Sequence, residues 1–301
     1  MPSGIGTAGA GAELTSEQVA RILVNPLQAR SVVLAAGPRV FDSQGDPLSI
    51  PKLAPMSAVG MTAENVAVPE SDPVFSEVQL LPSSLKSFKR GYRISNELVR
   101  HSVLAIATVM GQAIVERTAL EIDAAMLTGT GAANTITGFT SMAGTSGTTL
   151  AASATPTVDN LLDGQASLLG ANASLETAAW FMGPTKFTQI RKLREGSGTG
   201  SYLILNSDAG IATGQVTTTG RTSFRLLGCP VFVTTQLPDV RAGGKIILAD
   251  MNQIAVGRDT APSLGVFTET FADSDQLYLR VVARYDIKPL NAAGIYIITT
   301  A

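Results

Sequence analysis

At 301 residues the chain is long enough for one large domain or two, and an apolar share of 45% can fill a real core. Only 15% of the residues are charged, against about 25% for an average soluble protein, and 22 Lys and Arg against 24 Asp and Glu leave a net charge of −2. That balance excludes a strongly basic grip on nucleic acid, and the single cysteine, Cys229, excludes an intrachain disulfide framework and a multi-cysteine metal site. Depletion of charge is also what the buried centres of protein–protein interfaces show. The N-terminus has neither the basic start nor the apolar stretch of a secretory signal. The most apolar window, Val103 to Val115, is too short to span a bilayer and contains Gln112. A soluble protein made inside the cell, with no membrane partner, is the expectation.

Residues 1–14 are rich in Gly and Ala and are expected to be mobile. Thr15 or Ser16 is placed to cap a short helix through EQVARILVNPLQARSVVLAAG. Val19, Ile22, Leu23 and Leu27 fall there at helical spacing, and Pro26 interrupts. This stretch is too small to fold alone and reads as an arm that packs on something else.

Between Leu48 and Lys86, Pro51, Pro55, Pro69, Pro73 and Pro82 exclude a helix, while VFSEVQLL alternates as a strand does. With Gly60 as a bend near the tip, the segment predicts a two-stranded arm with one return. Its prolines guard the edges against uncontrolled pairing. Connections beyond about 12–15 residues are usually functional or disordered, so an arm of this length points to a subunit that reaches towards neighbours.

Ser95 is then placed to cap one long helix through NELVRHSVLAIATVMGQAIVERTALEIDAAML, with Glu97 in the first turn where the macrodipole favours an anion. About 32 residues at a rise of about 1.5 Å make it roughly 48 Å long. Val99, Val103, Ile106, Met110 and Ile114 line one face; Leu104, Ala107, Gly111, Val115, Ile122 and Met126 line another. Two apolar faces imply cover on both sides, by its own sheet and by a neighbour. Gly129 is the expected C′ residue.

A loop rich in Gly, Thr and Ala follows to Pro156. After it come a helix VDNLLDGQASLL, a strand AAWFMG and a helix PTKFTQIRKLRE with Pro184 in its first turn. Residues 196–220 read as a mobile loop. The strands FRLLGCPVFVTT, KIILADM and QIAVGRD come next, and LYLRVVARYDIKPLNAAGIYIITT reads as two long strands joined at Lys288-Pro289. Helices mixed with largely antiparallel strands make an α+β fold rather than a regular βαβ series.

No residue pattern carries catalytic chemistry. His101, the only histidine, sits in the long helix beside Arg100, and a hydrolytic device would have to pair it with a distant nucleophile. Cys229 lies in the apolar run LLGCPVF and reads as a buried small residue. The glycine runs at 129–131 and 196–200 lack the strand–turn–helix setting of a nucleotide site. Asp273 and Asp275 lack the further ligands of a calcium loop. No catalytic, cofactor-binding or metal-binding residue is assigned, and the chain is expected not to be an enzyme.

Charge does show one pattern. The arm carries Glu64, Glu70, Asp72 and Glu77, and the stretch that returns to the helix carries Lys86, Lys89, Arg90 and Arg93. These are either a solvated strand face or an acidic arm and a basic stem that meet between subunits. Each exposed pair contributes only about 0–1 kcal/mol, so such pairs set register and partner choice more than affinity.

The order of these features resembles the major capsid proteins of tailed bacteriophages, with the Hong Kong 97-type fold. The resemblance rests on the N-terminal arm, the two-stranded loop ending in AENVAVPESDPVFS and the helix YRISNELVRHS…ALEIDAAMLTGTG followed by TGF. It continues through AWFMGPTKFTQIRKLRE, FRLLGCPVFVTTQLP, KIILADMNQIAVGRD and the paired strands LRVVARYDIKPLNAAGIYIIT. It covers nearly everything after about residue 15, through blocks that are individually unspecific but stand in the right order.

The resemblance implies an N-terminal arm over 1–34 and an extended loop, the E-loop, over 48–86, lying across a neighbouring subunit. It implies a peripheral domain from 35–47, 87–154 and 258–288, and an axial domain from 155–257 and 289–301 around the capsomer centre. The implied function is a shell protein that assembles with itself into pentamers and hexamers enclosing double-stranded DNA without sequence-specific contacts. A portal, a separate scaffolding protein and a decoration protein are the implied partners, and assembly is expected in the cytoplasm of a bacterial host. The alternative on the same fold is an encapsulin-type compartment around a protein cargo. Some relatives weld the shell by an isopeptide bond between an E-loop lysine and an asparagine, promoted by a glutamate. The matching positions here are Val68, Asp275 and Val282, so no crosslink is expected. No long scaffolding region precedes the arm, which implies a separate scaffold or a region outside this sequence.

Overall fold

The computed structural model describes residues 31–43, 48–53, 56, 59–68, 70–80, 86–101, 106–132, 134–151, 154–194, 216–218, 221–239 and 243–300. The predicted helix before residue 31, Val103 and Leu104 of the long helix, and 196–215 and 219–220 of the predicted mobile loop lie outside the described residues.

Three sheets organise the chain. In the first, β1 (Arg39–Asp42) runs parallel to β11 (Ile254–Phe271). β11 pairs antiparallel with β12 (Gln276–Pro289), and β12 with β4 (Phe88–Ser95). β11 runs past the predicted QIAVGRD to Phe271, with register shifts between Arg258 and Ser263, where Pro262 lies, and between Phe267 and Phe271. The second sheet has seven strands in the order β5-β13-β10-β6-β9-β8-β7. In chain order they are β5 (Ser146–Leu150), β6 (Ala178–Met182), β7 (Val216–Thr218), β8 (Arg221–Leu226), β9 (Cys229–Val233), β10 (Lys245–Asp250) and β13 (Ile295–Thr300). The third is the arm, β2 (Leu48–Leu53) against β3 (Phe75–Leu80).

The long helix appears as α2 (Asn96–His101) and α3 (Ile106–Thr128). Leu98 and Ile114 pack with Ile94, Leu279 and Val281 on the four-stranded sheet. Farther along, Ile122, Met126 and Leu127 enter the main core. That core lies between the two large sheets and includes Phe139, Phe181, Ile247, Val256 and Ile287. The opposite face of the seven-stranded sheet, with Trp180, Leu248 and Ile298, is covered by α4 (Val158–Gly170) and α5 (Pro184–Arg191). Because both faces of β6 are covered, all five of its residues are buried, which is why AAWFM reads as an unbroken apolar run.

Local chemistry accounts for the helix starts. Thr157 and Asn160 form a capping box on α4. Pro184 opens α5, where its missing N–H is no loss. The Asp239 carboxylate accepts from the Thr185 N–H at 2.6 Å and the Lys186 N–H at 3.0 Å. The first described helix, α1 (Val32–Ala35), is capped by Ser31.

Several expectations need correction. The arm does return once, but the turn lies at Ala63–Val66, closed by the Val66 N–H on the Ala63 carbonyl at 3.3 Å, with Asn65 at φ +64° rather than at Gly60. Gly129 is not a left-handed cap. It is needed because a Cβ there would sit 2.3 Å from the Ile136 carbonyl oxygen. FRLLGCPVFVTT is a hairpin, β8 and β9, turned by Leu227 and Gly228 at φ +50° and +82°. β12 and β13 are not partners. They join different sheets, and the chain passes between them at Ala292–Gly294. Ser146–Leu150, read as loop within the 87–154 stretch, is an edge strand parallel to β13.

Candidate assembly surfaces

The arm is a ribbon of two strands with little cover. Leu80 at its root is fully buried, yet Val59 and Met61 near the tip are 101% and 108% exposed and Val68 is 75% exposed. Met56, Val66, Val74 and Phe75 are exposed as well. Exposed apolar side chains gathered along one ribbon mark a contact with another molecule. The acids share that surface. Glu64 stands in the tip turn, Glu70 and Asp72 on the returning segment ahead of β3, and Glu77 opposite Pro51 in the ladder; all four are exposed. Glu77 Oε2 also accepts the Ser49 hydroxyl at 2.6 Å, so that carboxylate is engaged within the arm.

The basic stem divides. Lys86 Nζ donates to the Gly131 carbonyl at 3.2 Å and to the Thr135 carbonyl, tying down the turn after α3, where a cation is favoured by the helix dipole. It is therefore a structural cation rather than a waiting contact. The Arg93 guanidinium lies 3.8 Å from the centroid of the Phe271 ring. Lys89 and Arg90 are exposed and line a groove of about 560 Å³ between β4 and α3, with Tyr92, Arg117 and Glu121 on its walls. No ion pair joins the arm acids to these cations within the chain, among the described residues. A second hollow, of about 790 Å³, lies where Gly111, Val115 and Gln112 of α3 face Leu264, Val266 and Leu279.

The three positions that the resemblance matches to a weld are apolar or occupied. Val68 projects from the arm, and Val282 is half-buried in β12. Asp275, in the turn between β11 and β12 at φ +48°, accepts the Asn96 amide group at 2.6 Å with its side chain and the Asn96 N–H at 3.0 Å with its carbonyl. It braces the start of α2.

Sequence reasoning missed three carboxylates that hold segments together, Asp123 and Asp250 buried and Asp239 half-buried. Asp239 caps α5. Asp250 accepts from Ser174, Thr177 and Asn252. Asp123, on the inner face of α3, accepts from the Ser31 hydroxyl and the Val32 and Val33 N–H groups at 3.0–3.2 Å, so the long helix grips the start of α1. Burial pushes the Asp123 carboxyl above its ordinary value, and the three donors only partly offset this. The only clue in the sequence is an acid placed next to the core residue Ile122.

The remaining reactive groups are unremarkable in setting. Cys229 is buried, its Sγ faces the Leu175 carbonyl at 3.5 Å, and burial raises its pKa, which keeps the thiol inert. His101 is exposed on α2. Among the described residues no three His, Cys, Asp or Glu side chains cluster as metal ligands, and no helix is long and apolar enough to cross a membrane.

Comparison with known proteins gives one consistent result. Residues 11–300 match the model of the phage capsid family. The major capsid protein of Klebsiella oxytoca phage phiKO2 is 24% identical over 93% of this chain, and the match spans 66% of that relative's length. Among solved structures, the capsid of the native GTA particle has a TM-score of 0.73 at 18% identity, with 99% of each chain covered. Microbacterium phage Oxtober96 has a TM-score of 0.72 at 16% identity over 99% of this chain and 100% of that one. Gordonia phage Cozz has 0.71 at 15% identity over 100% and 97%. At such identities these likenesses concern the fold.

Proposed function

Because the chain belongs to the phage capsid family, we propose that it is the major capsid protein of a tailed-phage-type particle, assembling into pentamers and hexamers of an icosahedral shell around double-stranded DNA. The observation that carries this reading is the arm, a ribbon whose apolar side chains are bare in the single subunit. A neighbour's surface supplies the missing cover. Burying one Val or Met side chain is worth about 1.5–3 kcal/mol, whereas an exposed ion pair adds about 0–1 kcal/mol. Packing therefore holds the arm, and Glu64, Glu70 and Asp72 against Lys89 and Arg90 set its register. Membership of a phage capsid family does not favour the encapsulin-type compartment.

In this reading residues 48–86 are the E-loop, the four-stranded sheet with α2 and α3 is the peripheral domain, and the seven-stranded sheet with α4 and α5 is the axial domain. Ser146–Leu150 then belongs to the axial domain by its pairing with β13. The role is structural rather than enzymatic, and the shell holds without an isopeptide weld. A portal, a scaffolding protein and a decoration protein complete the particle, which forms in the host cytoplasm. The mild net charge of −2 suits a container that must release its genome, since strong phosphate contacts would oppose release. Size-exclusion chromatography with electron microscopy tests the reading. Closed shells of megadalton mass containing nucleic acid are expected; a chain that stays small with its scaffold supplied, or shells filled with a protein cargo, would sink it.

A further inference from the structure

The two helices on the outer face of the seven-stranded sheet carry opposite charge. The exposed charges of α4 and the turn after it are the acids Asp159, Asp163 and Glu176, and those at the C-terminal end of α5 are the cations Arg191 and Lys192, while Lys186 of α5 is buried. Leu161, Gly164 and Leu168 face inward from α4. Helical spacing therefore turns Asp159, Leu162, Asp163 and Leu169 outward along one stripe. Leu162 is 46% exposed and Leu169 56% exposed, so the stripe is an apolar strip with an anionic rim. At the other helix, Arg191 and Lys192 are exposed, and the Arg191 guanidinium lies 5.5 Å from the Phe187 ring and 5.7 Å from the Phe224 ring. That aromatic base holds its charge in place.

The positions of the two surfaces matter as much as their sign. α4 packs against β5, β13 and β10, at one end of the sheet order, while α5 packs through Phe187 on Phe224 of β8, near the other end. At about 4.8 Å per strand, the β13-to-β8 separation is roughly 20 Å. A two-fold contact through α4 would set acids against acids, and one through α5 cations against cations. A head-to-tail contact sets opposite charges together, and it closes into a ring where the rotation between copies is a whole fraction of a turn.

We propose that α4 of each subunit docks its acid-rimmed leucine strip on the α5 end of the next copy around the capsomer ring. This rests on the shell reading and names the contact within it.

Charge reversal tests the pairing. Asp159→Lys with Asp163→Lys changes exposed positions, so the monomer should melt normally while the megadalton peak is lost at low salt. Adding Arg191→Glu and Lys192→Glu to the same chain should restore it. Mixing the two double variants, each silent alone, should give alternating six-membered rings, read as ring-sized particles rather than closed shells because a ring of five cannot alternate, if the four-fold variant folds poorly. Equal assembly of wild type and the Asp159/Asp163 variant overturns the proposal, as does failure of both the combined chain and the mixture. A wild-type chain that never assembles is a separate result, since it sinks the shell reading itself.

Discussion

β3 in the arm and β6 in the seven-stranded sheet are strands of similar length, FSEVQL and AAWFM, and they meet opposite fates. β6 has a partner on each edge and a covered layer on each face, so Ala178–Met182 is wholly buried. β3 has one partner, β2, and of its six residues only Leu80 at the root is buried. The difference is written in both strand and surroundings, since β6 is apolar throughout and covered on two faces, whereas β3 alternates and its apolar Phe75 still stands bare. Apolar side chains that a chain leaves uncovered are surface kept for another chain, and the same substitution should therefore do different things in the two places.

The largest expected effect is in β6. Trp180→Ala removes a fully buried side chain and should cost about 3–5 kcal/mol, seen as a large drop in the denaturant midpoint of the monomer and loss of assembly with it. A midpoint that barely moves would mean the sheet is not the folding core. In the arm the expectation inverts. Val59→Ser with Met61→Ser should leave the monomer within about 0.5 kcal/mol of wild type and still abolish shells. Loss of monomer stability there would place those residues in a fold rather than at a contact.

Asp123 sharpens the comparison from inside, since it is a polar group kept under cover. Asp123→Ala strips an acceptor from the Val32 and Val33 N–H groups and should cost about 1–3 kcal/mol in a melt. Asp123→Asn keeps an acceptor oxygen and should change the pH profile instead. A carboxyl raised in the folded state favours folding once protonated, so the wild-type stability should rise as pH falls through its raised value towards the ordinary 3.8. The Asn variant should lack that rise; matching profiles would remove Asp123 from the account. The smallest effect is a null one. Shells boiled in denaturant should run as a single band near 31.2 kDa, and a ladder of multimers would mean a weld that Val68 cannot supply.

Much of the fold was legible because its causes are local. The prolines and alternation of 48–86 specify a ribbon, and the helical spacing after Ser95 specifies the helical stretches Asn96–His101 and Ile106–Thr128. The unbroken run AAWFM implies a strand covered on both faces. The hairpin at Leu227-Gly228 was hidden because a leucine took the left-handed position that glycine usually signals. The edge strand Ser146–Leu150 was hidden by composition, since SGTTL looks like a loop until β13 offers it a ladder.

The candidate surfaces were half legible. The acids of the arm and the exposure of Val68 follow from a polar, proline-spaced ribbon with nothing to pack on. Lys86 did not follow the pattern of its neighbours, because its partners are the Gly131 and Thr135 carbonyls some 45–49 residues away. By itself the sequence determined where the chain is extended, where it is helical and which segments cannot close on themselves, since dihedral limits and side-chain period act within a few residues. Only the tertiary structure decided which strands share a sheet, which cations are already taken and that α4 and α5 stand at opposite ends of one sheet. Those outcomes depend on contacts between residues far apart in the chain, whose geometry no local pattern records.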